Sequence, residues 1–148
     1  MEGEEALQKF CNAQRPDIIK ADAAGLVKAI SSILPDVDKK AILENDTMGQ
    51  DQVDSMHEAL RVSCDGWVDD DFAFMKPWGF ELSEIKVPVL LYQGSVDLMV
   101  PYAHGLWLAK HLPQEHLKNH LIEGQGHISI FIGNEGKMID ELLAIAKP

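Results

Sequence analysis

Val87-Pro88-Val89-Leu90-Leu91-Tyr92-Gln93-Gly94-Ser95-Val96-Asp97-Leu98-Met99-Val100-Pro101 is the stretch on which the fold turns. From Val87 to Tyr92 the run is almost wholly apolar and partly β-branched, as in a parallel strand covered on both faces. Pro88 has no N–H to donate, so it belongs at the start of the ladder or on an unpaired side. Gly94 ends the run. Asp97 follows in the loop, and Val100-Pro101 opens a helix from Tyr102 to Leu112, with Leu106, Leu108, Ala109 and Leu112 to pack and Pro113 beyond its end. His120-Leu121-Ile122 is the heart of a second short strand, followed by Gly124-Gln125-Gly126-His127. Asn134 to Ala146 reads as a final amphipathic helix carrying Met138, Ile139, Leu142, Leu143 and Ile145. The order is β-α-β-α, which implies an α/β class with a short parallel sheet and a right-handed crossover.

Upstream the pattern is helical throughout. Glu4 to Gln14 places Ala6, Leu7 and Phe10 on one face, and Pro16 is expected to stop that helix. Asp22 is a natural N-cap for Ala23 to Leu34, whose apolar stripe is Leu26, Ile30, Ile33 and Leu34. Pro35-Asp36 opens a third helix, Val37 to Glu44. A fourth runs from about Gln50 to Ser63, with Val53, Met56, Leu60 and Ser63 at helical spacing. Gly66 breaks it, and Trp67 to Met75 forms a short fifth before Pro77. Two regions follow, 1–77 all helical and 78–148 strand-bearing. Neither shows an internal repeat or a low-complexity segment.

Composition narrows the class. The 148 residues are 46% hydrophobic and 25% charged, which suits a globular domain with a real core. No apolar run approaches the ~20 residues a membrane span needs. Met1-Glu2-Gly3-Glu4-Glu5 has neither the basic nor the apolar region of a secretory signal. Cys11 and Cys64 lack metal or redox spacing, so reduced thiols in a cytoplasmic setting are expected. The net charge is −11, with 16 acids against 8 bases in residues 1–77 and 8 against 5 in residues 78–148. Such a surface repels nucleic acid. It serves solubility first, and the acidic first half would also attract a cationic substrate.

The chemistry lies in the two loops. Open α/β sheets place their sites outside the carboxyl ends of the strands. A carboxylate there can accept the Nδ1–H of a histidine, set its tautomer and stabilise the imidazolium. Asp97 taken alone reads equally as a turn former or a helix cap, and His127 alone as an ordinary histidine. Together, at the ends of strands that would lie about 5 Å apart, they read as an acid and a general base.

Residues 78–148 resemble the C-terminal end of the α/β-hydrolase fold, in which a G-x-x-D-x-x-V-P strand end supplies the acid and a G-x-G-H loop the base, in that order. Residues 1–77 are similar to the helical cap that many members insert ahead of these strands. Gly66-Trp67-Val68-Asp69-Asp70-Asp71 and Pro77-Trp78-Gly79-Phe80 resemble the return from cap to core in proline-iminopeptidase-like hydrolases. The resemblance implies a partial α/β-hydrolase fold, with Asp97 as acid and His127 as base, in a lineage that hydrolyses ester, amide or peptide bonds without a cofactor or metal.

The departure from that pattern is large. The family's earlier strands, oxyanion loop and G-x-S-x-G nucleophile elbow have no counterpart. Ser95 sits on the acid loop without a second glycine. Ser129, two residues after His127, is placed to bond nearby backbone. Cys64 in Ser63-Cys64-Asp65-Gly66 follows a helix rather than a strand. His104 reads as a surface histidine of the helix after Asp97, and Asp69, Asp70 and Asp71 lack the spacing of a calcium loop. Trp67, Phe72, Phe74, Trp78 and Phe80 read as packing between cap and core, or as the lining of an apolar or peptide pocket. Two strands alone leave bare edges. The expectation is therefore a truncated hydrolase that either dimerises with its own copy or docks on a chain supplying the missing strands. The other reading is a non-catalytic interaction or ligand-binding module derived from such an enzyme.

Overall fold

The computed structural model describes residues 2–45 and 47–146. Among them are seven α-helices and one two-stranded parallel sheet, so the chain is of mixed α/β class. The helices are α1 (Glu2–Ile18), α2 (Ala23–Ala29), α3 (Asp36–Glu44), α4 (Met48–Ala59), α5 (Asp65–Phe74), α6 (Tyr102–His111) and α7 (Glu135–Ala146). The strands are β1 (Val89–Gly94) and β2 (Leu117–Ile122). The chain divides into two compact units. One is Met1–Ile30 with Leu43–Gly79, and the other is Ser31–Ile42 with Phe80–Pro148. No helix among the described residues is long and apolar enough to cross a membrane.

The first unit is made of α1, α2, α4 and α5. Its core is Cys11, Leu60, Cys64 and Val68, with Leu7, Ile18, Ile19, Trp67 and Phe72 packed around it. Both thiols are free and fully buried. Burial pushes the Cys11 thiol up, and the Asp71 carboxylate and Cys64 add to that. Asp22 caps α2 as expected, its Oδ1 accepting from the Gly25 N–H at 2.8 Å. Gly66, expected to break a helix, lies inside α5, and α4 ends at Ala59 rather than near Ser63. Two further expectations fail here. The first helix passes through Pro16 and ends at Ile18. A proline this close to a helix end forfeits one hydrogen bond. The neighbouring Arg15 is anchored in return, donating to the Leu60 and Arg61 carbonyls at 2.6 and 2.7 Å, which also satisfies acceptors at the end of α4. The second helix stops at Ala29, and Ser31–Ile33 tightens into a single 3₁₀ turn before Pro35.

In the second unit β1 and β2 pair in parallel from Val89 opposite Leu117 to Gly94 opposite Ile122. Pro88 lies just ahead of the ladder, and the Val89 N–H donates to the His116 carbonyl at 2.8 Å. Strand alternation sends neighbouring side chains to opposite faces. Gln93 faces α6, where Gly105 leaves room for it; a Cβ at Gly105 would overlap the Gln93 side chain. Tyr92, Lys118 and His120 face α7. Glu141 of α7 accepts from all three, from Lys118 Nζ at 2.7 Å and from Tyr92 Oη and His120 Nε2 at 2.8 Å each. The Tyr92 and His120 rings stack at 4.3 Å. Hydrogen bonds from Lys118 and Tyr92 hold the Glu141 carboxyl down at about 2. Burial, followed by the bond to Glu141, pushes the Tyr92 phenol up to about 12. The helix is thus tied to the sheet by a polar cluster. Its apolar residues Ile139, Leu142, Leu143 and Ile145 remain about half exposed. Trp67 and Phe72, expected between cap and core, pack against the core of the first unit itself, whereas Phe74, Trp78 and Phe80 are more than half exposed.

Candidate active site

Each loop is built by local chemistry before the two meet. Asp97 folds its own loop: Oδ1 accepts from the Met99 and Val100 N–H groups at 2.9 and 2.8 Å, an Asx turn leading into α6. Its Oδ2 accepts from Gln93 Nε2 at 3.0 Å and from His127 Nδ1 at 3.0 Å. The carboxylate is 4% exposed. Four donors replace the water it has lost, which is what a buried charge requires.

The histidine loop is stitched to the acid loop by backbone. The Ser95 N–H donates to the Ile122 carbonyl at 2.9 Å, and the Val96 N–H to the Gln125 carbonyl at 3.0 Å. Gly124 takes the left-handed turn at φ +73°, which a residue with a Cβ resists. Gly94 is required for a different reason: a Cβ there would overlap the Gln125 carbonyl. The hydroxyls rejected above as nucleophiles are engaged as acceptors. Ser95 Oγ takes the Gly124 N–H at 2.9 Å, and Ser129 Oγ the Gly126 N–H at 2.8 Å. Cys64 is buried in the core of the first unit, and His104 is exposed on α6.

Asp38 of α3 holds the histidine loop from the other side, and the sequence reading did not find it. Its side chain is fully buried. Oδ2 accepts from the His127 N–H and Oδ1 from the Ser129 N–H, both at 2.8 Å. A Cβ at Gly126 would run into this carboxylate, so the glycine makes the approach possible. Only Pro35-Asp36-Val37-Asp38 marks the residue in the sequence, and there it looks like one more acid in the first turn of a helix. Gln93 was also missed, although its signal was present as the one polar residue at the end of an apolar strand.

The structure therefore brings Asp97 and His127 together with Nδ1 on the carboxylate. The imidazole is 44% exposed, and among the described residues no side chain bonds its Nε2. Because a carboxylate only accepts, Nδ1 carries the proton and the neutral ring presents Nε2 as the basic atom. The pair can accept a proton at Nε2 and return it. Among the described residues no three His, Cys, Asp or Glu side chains are grouped so that they could hold a metal ion. No family model, curated protein or solved structure matches this chain.

Proposed function

We propose that the chain carries the acid–base half of a triad hydrolase of the α/β-hydrolase type, acting on an ester, amide or peptide bond. The observation that carries this reading is the 3.0 Å contact between His127 Nδ1 and the buried Asp97 carboxylate, with the other ring nitrogen left open to solvent. In the proposed reaction His127 Nε2 takes the proton of the attacking hydroxyl as its oxygen bonds to the substrate carbonyl. Asp97 stabilises the imidazolium. The same proton then passes to the departing alkoxide or amine as the carbonyl–heteroatom bond breaks. A second polypeptide segment supplies the nucleophile and the oxyanion donors, a contribution worth orders of magnitude in rate.

The test is hydrolysis of p-nitrophenyl acetate by the purified chain. Without an oxyanion hole the dyad alone should act slowly, as a general base toward water. The activity should disappear in His127→Ala and fall in Asp97→Asn. A His127→Ala chain as active as the parent would sink the reading.

A second reading is favoured by a separate observation. Each strand is paired on one side only among the described residues, and unpaired edges accept strands from other chains. As an interaction module the chain would add a strand from its own copy or from another protein. Sedimentation as a monomer at micromolar concentration, with a cooperative melt, would count against it.

A further inference from the structure

The first unit contains a cavity of about 430 Å³, within the size range of small-ligand sites. Helix α1 contributes Ile18, α2 Leu26, α4 Met56, and α5 Trp67 and Asp70; Leu60, just past α4, closes the wall. Two features set it apart from a packing defect. The pocket is half open to solvent, with Met56, Ala59, Gly66 and Asp70 exposed, and apart from Asp70 its lining is apolar, so a guest that lays apolar surface against it displaces water from both. The space therefore favours an apolar guest. The second feature is charge. Asp70 is the one ionisable group in the lining and is exposed. At contact range its carboxylate attracts a cationic head and repels an anionic one.

We propose that this cavity binds a small amphiphile with an apolar body and one cationic head, of the primary alkylamine class, with the body among Leu26, Met56, Leu60 and Trp67 and the head at Asp70. The site does not depend on Asp97 or His127, so failure of the hydrolase reading leaves it standing.

The test titrates the full chain with n-octylamine, 1-octanol and n-octanoate, each below its micelle concentration. The indole N–H resonance of Trp67, assigned with Trp67→Phe, is the readout. Octylamine should bind about tenfold more tightly than octanoate, because one head is attracted and the other repelled at a solvent-facing carboxylate. Asp70→Asn should weaken octylamine about fivefold, to the level of octanol, while Asp69→Asn, outside the lining, leaves it unchanged. Gly66→Leu adds bulk at a lining position where a Cβ meets nothing within 4 Å, so the helix tolerates it, and it should weaken all three guests. Equal affinities for amine and octanoate would overturn the proposal. So would an Asp70→Asn chain that binds octylamine like the parent, or shifts at Trp78 and Trp107 in place of Trp67.

Discussion

In the helical unit the buried side chains are apolar or sulfur-bearing: Cys11, Leu26, Val27, Val53, Leu60, Cys64 and Val68. In the strand-bearing unit Leu34, Ile42, Leu112, Ile128 and Ile130 are buried, and with them the polar side chains of Asp38, Gln93, Asp97 and Ser129. The first arrangement gains stability from area removed from water, which is non-directional and tolerant of small shifts. The second relies on hydrogen bonds that work only at fixed distances and angles, which suits a pair of loops that must hold one imidazole in one orientation. The polar network costs stability wherever a partner is lost, so the two units should fail in different ways.

Removing Asp38 should have the largest effect. Asp38→Ala leaves the His127 and Ser129 N–H groups without their acceptor, and losing two charge-assisted bonds in a buried place costs about 3–4 kcal/mol. Urea unfolding should show that loss, and the low-field Nδ1 proton of His127 should broaden because its loop is released. Asp38→Asn keeps one oxygen and should recover part of both. If Asp38→Ala were as stable as the parent and kept that proton signal, the polar account of this unit would be wrong.

Next is Leu60→Ala, a cavity cut into the apolar core of the helical unit, which should cost about 3 kcal/mol. Here a volume-conserving Leu60→Met should restore most of the loss, whereas no hydrophobic replacement should rescue Asp38. Circular dichroism melts of the three variants would sharpen the contrast, and an Asp38→Leu chain melting like the parent would erase it.

The smallest effect is a pH window set by Glu141. Its carboxyl is lowered from about 4.5 to about 2 in the folded chain, so its contribution is complete above the unfolded value and is lost as the pH falls from there toward 2. Tyr92 is raised from 10 to about 12, so its contribution is complete below 10 and is lost as the pH climbs toward 12. Stability measured by urea midpoint should be flat in this respect between roughly pH 5 and 9 and fall on both sides. Glu141→Gln should remove the acid limb and shrink the alkaline one, since burial, the largest single cause of the Tyr92 shift, stays in place. Unchanged limbs in that variant would mean that α7 is held by something other than this cluster.

Much of the candidate site was legible because it is local. The apolar run of β1, the Asx turn of Asp97 onto Met99 and Val100, and the left-handed turn at Gly124 are all decided within a few residues. So is the Asp22 cap. The helix carried through Pro16 was not legible, because Arg15 is anchored by carbonyls 45 and 46 residues away. Likewise the pattern of α7 marked an apolar face without saying that it would stay half exposed while Glu141 made the attachment.

The sequence by itself determined the order of helices and strands and which two side chains, Asp97 and His127, stand at the strand ends. Short-range sterics and hydrogen bonds suffice for that. Only the tertiary structure decided that the histidine loop is clamped by Asp38, whose bonds reach across 89 and 91 residues. A buried carboxylate takes whichever N–H groups the folded chain presents to it, and nothing within its own helix records which they are.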